Sequence, residues 1–217
     1  MFPTRLADGY QSFLDGRFND ERARYRILAE RGQKPEIMVI GCCDSRCAPE
    51  VIFDAGPGEL FVVRNVANLV PPYEADSESY HGTSSALEFA VQALRVKHIV
   101  VLGHAHCGGI SAFVKGADAL SPGDFIGKWM HQIAPVAEKL GPPDPNDLGR
   151  YIMQMELAVV EHSINNLMTF PCVRILVERG HLQLHGAYFG VATGMLLVRD
   201  PKTGEFHPSA TPDPTAN

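Results

Sequence analysis

Across residues 4–31, apolar side chains recur at Leu6, Tyr10, Phe13 and Leu14, then at Phe18, Tyr25 and Leu28, with polar residues between them. That spacing predicts one or two amphipathic helices ending at Gly32. Such an arm needs an apolar surface to cover, on its own core or on a partner subunit. From Glu36 the pattern changes to short runs dominated by apolar residues: the continuous Ile37-Met38-Val39-Ile40 closed by Gly41, then 60–63, 98–102 and 173–177. Runs of this kind predict buried strands. Helical periodicity fills 84–94 and 151–168 between them. The alternation predicts an α/β fold with a mostly parallel central sheet and flanking helices. Residues 182–189 and 195–199, on either side of Thr193-Gly194, predict an antiparallel hairpin that supplies an edge strand. The expected organisation is an N-terminal helical arm over 1–32, an α/β domain over 33–200, and a loose Pro- and Thr-rich tail over 201–217.

Composition narrows the class. A chain of 217 residues with 45% hydrophobic content can build one real core. A net charge of -6 and a pI near 5.8 argue against nucleic acid as a partner. The N-terminal residues lack the apolar stretch of a secretory signal, and runs such as 99–102 are far too short to span a bilayer. The expectation is a cytoplasmic protein with no membrane partner. Five cysteines, at 42, 43, 47, 107 and 172, form an odd set that reads as free thiols or metal ligands.

Two loops directly follow two predicted strands: Gly41-Cys42-Cys43-Asp44-Ser45-Arg46 and Gly103-His104-Ala105-His106-Cys107-Gly108-Gly109. In open α/β sheets, ligands bind beyond the carboxyl ends of the strands, so both loops belong on one edge. Sulfur and imidazole are donors that zinc prefers, and His-x-x-Cys can place two of them on one turn. Cys42 supplies a third, leaving a fourth position open as in catalytic rather than structural sites. Asp44 could close that position, whereas pairing with Arg46 would keep it ionised and aimed elsewhere. A free Asp44 could then orient a zinc-bound water. Two thiolates cancel the formal charge of zinc and should acidify such a water less than three histidines would. Other readings compete on spacing alone. Cys42 can be core filler, Asp44 and Arg46 a surface turn, and Cys43, Cys47 or His106 the fourth ligand of a structural zinc. Vicinal Cys42-Cys43 can be a strained redox pair. A phosphatase Cys-x5-Arg loop is absent, since Arg46 comes only four residues after Cys42.

Cys-x-Asp-x-Arg followed by Gly-His-x-x-Cys-Gly-Gly resembles the β-class carbonic anhydrases. The segment Phe61-Val62-Val63-Arg64-Asn65-Val66-Ala67-Asn68-Leu69-Val70-Pro71-Pro72-Tyr73 is similar to its counterpart in the plant-type branch, as are Gly32-Gln33, Gly82-Thr83 and Leu184-His185-Gly186. The likeness runs over about 33–199. It implies one Zn2+ per subunit on Cys42, His104 and Cys107, with Asp44 and Arg46 as a gating pair. It also implies reversible hydration of carbon dioxide to bicarbonate and a proton, by attack of zinc-bound hydroxide. Gln33 and the Gly108 N–H match substrate-binding groups, and Phe61 and Val66 match apolar walls. Phe89 stands where relatives carry a tyrosine. For these three apolar residues, plain core packing is the competing reading. Val39 replaces a tryptophan of a regulatory bicarbonate site, which leaves Arg64, another member of that site, a structural role. Ala93 replaces a plant shuttle histidine, leaving His81 and His106 as proton-route candidates by proximity in sequence. The resemblance further implies a homodimer or homotetramer with the arm wrapping a partner. Hydrolases of carbonyl sulfide or carbon disulfide share the fold and ligands and form the alternative. A zinc-stabilised scaffold with a fourth protein ligand is the non-enzymatic reading.

Overall fold

The computed structural model describes residues 1–75 and 81–209. Within them lies a six-stranded sheet built from β1 (Ile37–Cys42), β2 (Leu60–Asn65), β3 (His98–His104), β4 (Gln183–Phe189), β5 (Leu196–Arg199) and β6 (Phe206–Pro208), in the order β2-β1-β3-β4-β5-β6. The pairs β1–β2, β1–β3 and β3–β4 are parallel, and β4–β5 and β5–β6 are antiparallel. The helices are α1 (Thr4–Asp15), α2 (Arg17–Arg31), α3 (Pro49–Ile52), α4 (Gly82–Glu88), α5 (Gly108–Val114), α6 (Phe125–Met130), α7 (Ala134–Leu140), α8 (Leu148–Leu167) and α9 (Pro171–Glu178). The mostly parallel sheet with antiparallel edge strands and flanking helices is the expected class.

Side-chain alternation along the strands divides the core in two. Met38, Ile40, Ile99 and Val101 bury against Leu87 of α4, Val160 and Leu167 of α8, and Val173 of α9. On the opposite face Val39, Leu102 and Ala187 are buried, but Ile37, Leu60, Val62, Val100, Phe189 and Leu196 around them are only partly covered. A third cluster, beyond the carboxyl end of the parallel strands, packs Cys42, Ala67, Cys107 and Ile110 under Met130, Ile133, Met155 and Val159.

Two expectations are corrected. Residues 173–177, read as a fourth strand, lie in α9. Pro171 starts the helix at its first turn, and Val173, Leu176 and Val177 face the core at helical spacing while Ile175 is exposed. The fourth parallel strand is β4 instead, which is at once parallel to β3 and antiparallel to β5. The segment after Asp200, expected to be loose, carries β6, whose Phe206 packs against the main core. Residues 210–217 of that expected tail lie outside the described residues.

The arm consists of α1 and α2, neither of which buries a residue. They meet through the aromatic cluster of Phe13, Phe18 and Tyr25. Contacts from α2 to the body are local: Arg24 Nε donates to the Pro57 carbonyl at 2.6 Å, and its Nη2 pairs with Glu59 at 3.2 Å. Leu6, Tyr10 and Ile27 stay more than half exposed. No helix among the described residues is long and apolar enough to cross a membrane.

Candidate metal centre

Parallel pairing delivers the two loops to one edge. Cys42 ends β1, His104 ends the neighbouring β3, and Cys107 is the N-cap of α5. All three are buried, and their ligand atoms lie within 4.8 Å of one another. His104 Nδ1 stands 2.9 Å from the Ala105 carbonyl. A carbonyl can only accept, so the proton sits on Nδ1 and the Nε2 lone pair is free. That Nε2 is buried without any hydrogen-bond partner. An orphaned imidazole nitrogen facing two sulfurs is what a soft divalent cation requires, and the donor set suits zinc.

The two sulfurs share their protons unequally. The Cys107 thiol donates to Cys42, which with the neighbouring His104 and the Ala67 N–H at 3.4 Å overcomes burial and holds Cys42 down at about 4. The same bond, together with burial, pushes Cys107 up. One thiolate therefore forms readily, and the second needs a cation beside it. His104 is held up by Cys42 against the opposing effect of burial. The backbone bends sharply to aim the Ala67 N–H, since this non-glycine residue sits at φ 65°, ψ 25°.

Asp44 is held at both oxygens. Its Oδ1 accepts from the Arg46 backbone N–H at 3.0 Å and from Arg46 Nε at 2.9 Å, and its Oδ2 accepts from Arg46 Nη2 at 2.7 Å. These bonds hold the carboxyl well below the usual carboxylate range. Arg46 Nη2 also donates to the His106 carbonyl at 3.1 Å, tying the first loop to the second. Arg64 supports both from β2, donating to the carbonyls of Cys42 at 2.8 Å and Asp44 at 2.7 Å. Its work here is structural.

The remaining expected site residues fall into two groups. Gly108 directly follows Cys107 and opens α5, and beyond its chain neighbours and its own helix backbone nothing lies within 4 Å of where a side chain would begin. Val66 follows β2 and borders a groove of about 780 Å³ together with Cys43, Arg64, His81 and Trp129. Trp129 Nε1 donates to the Val66 carbonyl at 2.8 Å. Phe61, in contrast, pairs with Met38, whereas Asn65 pairs with Cys42. Four residues of strand put Phe61 about 13 Å from the level of the ligands. The Phe89 ring lies 5.8 Å from that of Phe61. Gln33 is exposed and precedes β1, at the same far end. Within one chain, Gln33, Phe61 and Phe89 are not brought to Cys42, His104 and Cys107. His106 is exposed on its loop, Ala93 lies in the π-helical turn that follows α4, and Val39 is buried in the sheet.

Sequence reasoning missed one group. Glu156 of α8 accepts the Cys107 N–H at 2.9 Å and the Tyr188 hydroxyl at 2.6 Å. A lone acidic residue inside the apolar stripe of Met155, Val159 and Val160 was the available signal.

A parallel α/β sheet carrying a buried two-sulfur, one-imidazole centre beside an arginine-tethered aspartate defines a class of metal-dependent proteins. The family model described as carbonic anhydrase matches residues 37–196. The chain is 36% identical over 181 residues to the chloroplastic β carbonic anhydrase 5 of Arabidopsis thaliana, spanning 83% of this chain and 59% of that protein. It is 33% identical to a carbonic anhydrase of Synechocystis sp., spanning 98% of this chain and 76% of the relative. Among solved structures, the β-carbonic anhydrase CcaA superposes with a TM-score of 0.83 at 28% identity, covering 96% of this chain and 92% of that one. One of two tetrameric β-carbonic anhydrases of Sordaria macrospora superposes with a TM-score of 0.75 at 28% identity, covering 94% and 98%. The chain belongs to the β-class carbonic anhydrase family.

Proposed function

We propose that this chain catalyses the reversible hydration of carbon dioxide to bicarbonate and a proton, with one zinc ion per subunit held by Cys42, His104 and Cys107. The observation that carries this reading is the partnerless, buried His104 Nε2 facing two buried sulfurs, beside an Asp44 whose two oxygens are both held by Arg46. Zinc, when bound, supplies a Lewis acid that makes water a competent nucleophile near neutral pH. Arg46 holds Asp44 away from the metal, and the remaining carboxylate lone pairs accept a hydrogen bond from the reacting water and orient it. The Gly108 N–H, on the open side of α5, donates to a substrate oxygen. Val66 provides an apolar wall for a nonpolar gas.

In this reading a second subunit contributes Gln33, Phe61 and Phe89, which one chain holds at the wrong end of β1 and β2. The uncovered arm and the partly covered sheet face around Val39 support a homodimer, and the tetrameric relatives from Sordaria macrospora support further pairing of dimers. The five free cysteines support a reducing compartment such as the cytoplasm. Stopped-flow hydration of carbon dioxide, alongside a metal count, tests the proposal, with carbonyl sulfide as the comparison substrate. Cys42→Ser should lose both zinc and activity, and Asp44→Asn should keep zinc and lose most turnover. A metal-free, fully active Cys42→Ser protein would end the proposal.

A further inference from the structure

Glu156 is 2% exposed, in the middle of the buried face of α8. A carboxyl group in such surroundings is costly unless both oxygens are hydrogen-bonded. Both are: Oε1 accepts the Cys107 N–H at 2.9 Å and Oε2 accepts the Tyr188 hydroxyl at 2.6 Å. The second distance is in the range of charge-assisted O–H···O⁻ bonds. Among the described residues no Lys, Arg or His pairs with this carboxylate.

The arrangement fixes the backbone of one candidate ligand. The Cys107 N–H is held by Glu156, and Cys107 is the N-cap of α5. Its peptide cannot turn without breaking that bond, so the sulfur stays beside Cys42 and His104. The approach of α8 that makes this reach feasible depends on absent side chains. A Cβ on Gly103 would stand 2.5 Å from Val160 Cγ2, and one on Gly186 would stand 3.0 Å from Val160 Cγ1. Tyr188 is the register partner of that same Gly103, so its hydroxyl meets the carboxylate from the neighbouring strand.

We propose that Glu156 and Tyr188 are a positioning pair for the metal centre: the carboxylate anchors the Cys107 peptide, and the Tyr188 hydroxyl fixes the rotation of that carboxylate. The pair therefore presets the Cys107 sulfur before a metal arrives, a role that rests on the metal-site reading above. Hydrogen-bonding partners behind metal ligands commonly set affinity as strongly as this requires.

The test uses the full chain, stripped of metal, with zinc affinity measured by competition with a chromogenic chelator. The visible spectrum of the cobalt(II)-substituted protein reports ligand geometry, and urea unfolding of the metal-free protein is followed separately. Glu156→Leu should weaken zinc binding by about 10- to 100-fold and alter the cobalt spectrum. Glu156→Gln keeps an amide oxygen for the Cys107 N–H and should recover part of that loss. Tyr188→Phe should weaken binding less than Glu156→Leu, and adding it to Glu156→Leu should cost nothing more, because the tyrosine acts through the glutamate. If wild type binds zinc and every variant matches it in affinity and cobalt spectrum, the positioning role is overturned while the metal site stands. A change confined to the metal-free stability overturns the role equally. If wild type binds no zinc, the metal-site reading fails first and takes the positioning role with it. Should Glu156→Leu not fold, Glu156→Gln and Tyr188→Phe decide the matter alone.

Discussion

Replacing Gly103 by alanine probes how closely the fold must pack to aim the site. The new Cβ would stand 2.5 Å from Val160 Cγ2 and 3.6 Å from Tyr188 Cδ2. Carbon atoms in good contact sit about 3.5–4.0 Å apart, so roughly 1 Å of separation is missing. Val160 cannot turn away easily. It is fully buried, its other methyl already fills the space left by Gly186, and a β-branched side chain in a helix has one strongly preferred rotamer. The strain therefore falls on α8, which must lift from β3, at a cost of about 1–3 kcal/mol for overpacking. Glu156 lies one turn earlier on the same helix. A shift of about 1 Å along its 2.9 Å bond to the Cys107 N–H takes that contact beyond hydrogen-bonding distance. Urea unfolding followed by the fluorescence of the single tryptophan, Trp129, reads the stability change at fixed protein concentration. Chelator competition reads zinc affinity in the same samples. Val160→Ala alone should destabilise by about 2 kcal/mol, through lost burial and a cavity. In the double variant the clash is gone, so the two losses should fall short of additive by about 1 kcal/mol or more. A Gly103→Ala protein as stable as wild type, or strict additivity, would refute the packing argument.

Two other outcomes follow from the geometry. Arg64→Leu removes the donors to the Cys42 and Asp44 carbonyls and should destabilise the chain by about 2 kcal/mol; an unchanged urea midpoint would show that the loop holds its shape without it. His162 and His185 both have pKa values lowered chiefly by burial, with His98 adding to the effect at His185. The unfolded chain therefore takes up protons first, and their contribution to stability is full above the unfolded-state value near 6.5 and is lost as pH falls below it. The stability gap between wild type and a His162→Gln/His185→Gln protein should shift against wild type between pH 7.5 and 5.5, and a shift in its favour would contradict the sign.

The segments most legible in the sequence are those whose information is local. The runs at β1 and β3 are continuous because both faces of a central parallel strand meet other atoms, whereas β2 at the sheet edge is only partly buried, and the loops after β1 and β3 carry the candidate ligands within a few residues. The run at 173–177 misled because four apolar residues in a five-residue stretch, broken only by Arg174, satisfy strand and helix patterns alike. Pro171 and the inward set of Val173, Leu176 and Val177 were the better guide. Strand β6 was hidden because three residues carry too little periodicity to stand out, and its pairing partner β5 alone gives it form.

By itself, the sequence supplied the candidate donors Cys42, His104 and Cys107 and set Asp44 beside Arg46, since Cys-x-Asp-x-Arg and His-x-x-Cys each lie within a single loop, while spacing alone left the core-filler, redox-pair and structural-zinc readings open. Which atoms converge from far apart in the chain was decided only in three dimensions. The register of β1 against β2 sends Phe61 to the end of the sheet away from Cys42, and the exposed Gln33 lies at that same end. The close approach of α8 at Gly103 brings Glu156, 49 residues beyond Cys107, onto its N–H. Spacing along a chain sets local geometry, whereas strand register and helix-to-sheet distance are products of packing that no short motif encodes.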